Sequence, residues 1–147
     1  MPHLQRYAVG LHNVGSYQIS GWPYITGSAM NSGQVHKIEF PMVAKSIMIV
    51  VSGTFDTTAC LRVHFQPDGA AGGGVYKGHH YLTLGTDDSV SLDVKCKEIY
   101  ISAHGAAPDA GGGYELMAEL TNIPTASMYN LTGSGVTEET EAGSFTP

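Results

Sequence analysis

The sequence predicts an all-β fold: a single-domain β-sandwich of jelly-roll type with about eight to ten short antiparallel strands. Three observations carry this. Apolar and polar residues alternate with period two over many short runs. Turn-forming residues recur about every 8–12 residues. Only 14% of the 147 residues are charged while 19 are Gly, which suits strands with a neutral surface joined by tight turns.

Residues 43–65 organise the chain. Ile47 to Val51 form an unbroken apolar run rich in β-branched residues, which predicts a strand buried on both faces. After a turn-like break at Gly53, Thr54, Phe55 and Asp56, the pattern alternates. Leu61, Val63 and Phe65 point to the core, and Arg62, His64 and Gln66 to water. Two strands joined in this way would seed a sheet.

In chain order, residues 1–13 read as an arm, with a weak alternation of Tyr7, Val9 and Leu11. Tyr17 and Ile19 against Ser16, Gln18 and Ser20 read as a strand. The run from Trp22 to Thr26 contains Pro23, which cannot donate to a ladder, so it is an edge or a bend. His36, Ile38 and Phe40 give a strand expected to stop at Pro41. Residues 67–74 form a Gly-rich loop. Leu82 and Leu84 mark a short strand, and Gly85, Thr86, Asp87 and Asp88 a turn. Val90, Leu92 and Val94 alternate cleanly, and Ile99 with Ile101 is the next inward pair. A second Gly-rich loop, residues 108–113, echoes the first. Leu116, Ala118 and Leu120 favour a strand over a helix. The sandwich is expected over residues 14–123, with an extended or disordered tail over 124–147 that is acidic at Glu138, Glu139 and Glu141.

The formal net charge is −6 with 7 Lys plus Arg, which argues against nucleic acid and anionic membranes, since both are bound through basic patches. The N-terminal stretch lacks a secretion signal pattern, and Cys60 and Cys96 fall on different strand phases. A reducing cytoplasm and free thiols are the expectation, with an inter-sheet bridge as the alternative.

No cofactor, metal or catalytic residue is predicted. His79 and His80 are adjacent, so in a strand they face opposite ways. The glycine loops lack the Gly-Lys-Ser/Thr ending that cradles phosphate. Glu115 and Glu119 share a strand face, as solvated carboxylates often do. The candidates for contact with a partner are aromatic residues in or near loops: Tyr7, Trp22, Tyr24, Tyr76, Tyr81 and Tyr129.

In layout the chain resembles the small β-sandwich structural proteins of tailed-bacteriophage virions, head-decoration (cement) proteins above all. The resemblance rests on the strand pattern across residues 7–123, the two Gly-rich loops, and the polar tail from Pro124. It implies a non-enzymatic capsid decoration protein, made in the host cytoplasm and carried on the virion. It implies trimers of the chain bound where major capsid protein subunits meet. The arm and tail are the expected contact segments. The rival readings are a carbohydrate- or receptor-binding module using the aromatics on a glycan, and a cupin-like enzyme using His64, His79 or His80.

Overall fold

The computed structural model describes residues 9–18, 21–55, 59–66, 81–104 and 112–129. Its backbone is set by one long strand. β2, Val35–Ser52, carries inward residues on alternate positions at both ends, Ile38 and Phe40 first, then Ile47, Ile49 and Val51. Before it run a helical turn, α1 (Gly15–Gln18), and β1 (Trp22–Ala29). After it come β3 (Cys60–His64), β4 (Leu82–Leu84), β5 (Ser89–Leu92), β6 (Cys96–His104) and β7 (Gly113–Pro124). A 3-10 turn, Thr125–Ser127, follows.

These make one open, antiparallel, seven-stranded sheet in the order β1-β7-β2-β6-β3-β4, with β5 paired to β2. β2 belongs to both halves. Its first part pairs with β6, from Val35 opposite Ser102 to Glu39 opposite Glu98. Its second part lies between β7 and β5, with Ile47 opposite both Ala118 and Leu92. Ile38, Leu61, Val63, Ile99 and Ile101 from one half join Ile47, Ile49, Leu116, Ala118 and Leu120 from the other in a single core.

The all-β class, the edge character of the run from Trp22, the inward pair Ile99 and Ile101, and the strand over residues 114–123 are all present. Five expectations are corrected. The strand does not stop at Pro41. The ladder to β6 shifts register between Glu39 and Ala44, and proline is tolerated at such an irregularity because no N–H is required there. β2 and β3 do not pair with each other, because β6 lies between them. The run from Ile47 to Val51 is buried on one face only, with Met48 exposed on the other. Gly15–Gln18 is a helical turn and not a strand. Its cause is Asn13, whose Oδ1 accepts from Gly15 N–H at 3.0 Å and whose carbonyl accepts from Ser16 N–H at 3.1 Å. Finally, seven strands replace the larger set of short ones among the described residues, since runs read separately fuse into the 18 residues of β2.

Both flanks of the sheet settle on one satellite cluster. Val43, Ile123 and Met128 are buried together, with Leu11 and Tyr17 packed against them. Thr121 donates its hydroxyl to the Val43 carbonyl at 2.7 Å. Three lysines fasten the flanks. Lys45 reaches the Tyr17 carbonyl at 3.4 Å, Lys95 the Leu11 carbonyl at 3.1 Å, and Lys97 the Met128 carbonyl at 3.3 Å. Lys95 also sits 4.5 Å over the Tyr17 ring.

Candidate functional site

Among the described residues, the feature best suited to touch another molecule is the outer face of β1, β7 and β2, with the outer edge of β1. Register puts Ile25 opposite Met117, and Met117 opposite Met48, so the three form one row across three strands. All point away from the core: Ile25 is 75% exposed, Met48 39% and Met117 36%. Lone exposed apolar residues mean little, but a cross-strand row is a contiguous patch.

The row is bordered by carboxylates. Glu115 lies between Gly27 and Val50 in register, and Glu119 between Pro23 and Ser46. Glu119 is occupied, accepting from Ser46 Oγ at 3.1 Å and lying 3.4 Å from Lys45 Nζ. Alternation in the sequence places Met117 and the two glutamates outward. Met48 was missed because the run around it reads as uniformly apolar. The signal that marks it is its phase with Ser46 and Ser52.

β1 is an edge strand, paired only with β7 among the described residues. Its eight residues, WPYITGSA, include no charged side chain. Edge strands usually carry charge, proline or a bulge that discourages pairing, and here only Pro23 does so. Gly27 and Gly113 let β1 and β7 approach closely. A Cβ on Gly27 would meet the Tyr114 carbonyl at 2.7 Å, and one on Gly113 would collide with the Ser28 carbonyl.

The aromatic candidates divide. Trp22 and Tyr129 stand 63% and 66% exposed. Tyr24 turns inward and meets Phe40 edge-on with ring centroids 5.4 Å apart. Tyr81 is half-buried beneath Arg62, whose guanidinium carbon lies 4.3 Å from the ring centre. Tyr7 and Tyr76 lie outside the described residues, as do His79 and His80.

On the opposite half of the sheet, the face expected to be wet is closed. His64 and Ser102 are fully buried, and His64 stacks on Tyr100 with ring centroids 5.6 Å apart. His64 Nδ1 lies 2.6 Å from the Gln66 carbonyl. A carbonyl only accepts, so Nδ1 carries the proton and Nε2 accepts from the Ser102 hydroxyl. The buried, stacked ring and its two hydrogen bonds tie β3 to β6 at this point of the sheet. Nearby, Lys37 bridges Glu39 at 2.6 Å and Glu98 at 3.0 Å. The hydrogen bond to Glu39, then that to Glu98, pushes the Lys37 ammonium up, and Lys37 in turn holds Glu39 below the usual carboxylate range. Burial, with a smaller push from the Glu98 charge, raises the Tyr100 phenol.

The two thiols are free. Cys60 lies opposite His104 and Cys96 opposite Ala44, at the two ends of β6, about 26 Å apart at ~3.3 Å per residue. That spacing removes the inter-sheet bridge. Burial first, and the Glu98 charge second, push the Cys96 thiol up to about 12. Among the described residues, no three His, Cys, Asp or Glu side chains converge as a metal site. No family model, curated protein or solved structure matches the chain.

Proposed function

We propose that this chain is a structural β-domain that works by protein–protein contact, and specifically a capsid decoration (cement) protein of a tailed-phage virion. The observation that carries the first part is the uncharged edge strand β1 joined to the exposed row Ile25, Met117 and Met48. An adhesive edge beside an apolar strip is what a subunit needs to seal a junction. The decoration role adds the layout resemblance, with copies of the chain and the major capsid protein as partners and the virion as location. The shared core of the two half-sheets supports reading them as the layers of a jelly-roll-like sandwich bent about residues 40–44 of β2.

The test is direct. Virions purified from the source are assayed for the chain by mass spectrometry, and particles with and without it are heated. The expected result is stoichiometric incorporation and earlier rupture of particles that lack it. Particles that never contain the chain overturn the decoration role.

Exposed Trp22 favours a second reading, a carbohydrate-binding module, because an indole face stacks on sugar rings. Glycan-array binding that is lost in Trp22→Ala supports that reading over the first.

A further inference from the structure

The outer edge of β1, unpaired among the described residues, is self-complementary. Met30 N–H donates to the Gly112 carbonyl at 3.0 Å, at the end of the β1–β7 ladder. Even-numbered residues of β1 share this phase, so their backbone groups turn toward β7 and those of Pro23, Ile25, Gly27 and Ala29 turn outward. Pro23 has no N–H to offer. Ala29 has one carbonyl already engaged, since it accepts from the Ser28 hydroxyl at 3.0 Å.

We infer that β1 pairs with β1 of a second copy of this chain, antiparallel, about a two-fold axis at Thr26. This rests on the assembly reading above and names the partner of that same edge. The register sets Ile25 against Gly27 of the second copy, and these exchange both backbone hydrogen bonds. It sets Pro23 against Ala29, so the missing donor faces the carbonyl already engaged by Ser28, while Ala29 N–H donates to the Pro23 carbonyl. Each Ile25 side chain lies over a glycine, which leaves room for it. The rows Ile25, Met117 and Met48 of the two copies then lie side by side, offset by two residues, with the two Ile25 side chains diagonal neighbours across the joint. The chain carries a net charge of −6, yet β1 brings no charge to its twin. The acidic sequence Glu138, Glu139 and Glu141 is a poor charge match for an edge whose neighbouring strand carries Glu115 and Glu119. A two-fold pair also departs from the trimer that the phage resemblance implies.

The test uses light scattering on the full chain over a range of concentrations. Wild type should be a dimer, and Ile25→Lys should raise its dissociation constant at least about tenfold by setting like charges across the joint. Ile25 is exposed, so the circular dichroism spectrum should not change. A second measurement fixes the register. Thr26 would face its own copy in a non-hydrogen-bonded pair with Cα atoms about 4.5 Å apart, within disulfide reach. Thr26→Cys should therefore give an oxidised, linked dimer at least about tenfold above the wild-type background from Cys60, and Ser28→Cys should not. A wild-type monomer at every concentration, a dimer retained in Ile25→Lys, or equal linking by Ser28→Cys overturns the pairing. A trimer also overturns it, while virion incorporation by a trimer or monomer would leave the decoration role standing.

Discussion

His64 has no water to turn to. Its ring is fully buried, one nitrogen is committed to the Gln66 carbonyl and the other to the Ser102 hydroxyl. Removing one partner leaves a desolvated polar group behind, which costs more than the bond itself contributes. His64→Ala is therefore expected to lower unfolding free energy by about 2–4 kcal/mol in urea melts. Ser102→Ala should cost about 1–3 kcal/mol, and the double variant less than the sum. Additive costs would show that the contact is not a coupled pair. The cysteines give a second check at this scale. With Cys96 buried and its thiol pushed up to about 12, a thiol reagent at neutral pH should titrate Cys60 alone in the native protein and both thiols after unfolding. Fast labelling of Cys96 in the folded chain would contradict its burial. The sequence could not show that His64 is closed off. Its phase is opposite to Leu61 and Val63, and only the three-dimensional placement of Tyr100 and Ser102 turns a wet position into a buried one.

Strand identity was more legible than strand partnership. Ile38 with Phe40, Ile99 with Ile101, and Leu116 with Ala118 all reveal their inward face by period two. What alternation cannot encode is which edge a strand joins. β2 and β3 are consecutive in sequence and yet separated by β6, whose Tyr100 and Ser102 are buried on one face and Ile99 and Ile101 on the other. Pro41 misled because the cost of proline depends on whether a partner needs its N–H, and the irregular ladder at residues 39–44 does not. The exposed row was half legible: Met117 by its phase, Met48 only through register. At this scale Gly113→Ala is expected to cost about 2–4 kcal/mol, because its Cβ would meet backbone of β1 and not a movable side chain. Hydrogen exchange should quicken first at Ser28 and Met30. Uniform loss of protection across all strands would mean that β1 does not yield separately.

At the scale of the whole molecule, three buried groups among the described residues act in one direction in the alkaline range. Cys96 is pushed up from 9.0 to about 12, and Tyr100 and Tyr114 are raised as well, mainly by burial in each case. A raised folded-state pKa gives stability that is complete below the unfolded value and is lost as pH rises through the folded one. The unfolded chain releases the Cys96 proton from about pH 9, so stability should fall between pH 9 and 12. Cys96→Ala should show a shallower fall over that window, whatever its cost at neutral pH. An equal slope in the variant would remove Cys96 as the cause. Lys37 with Glu39 and Glu98 adds little to this balance, being a surface group whose interaction is screened by solvent.

The lysine-fastened flanks bear on how the domain takes mechanical load. Leu11 and Tyr17, ahead of β1, and Met128, beyond β7, share one root at Val43 and Ile123. A pull on the chain lengths leading away from both flanks meets at that root and need not run through the strand ladders. Such tension would first peel three ammonium clasps and a small greasy knot. The sheet would stay whole while the outgoing lengths paid out, like a bracket whose tethers share a single bolt.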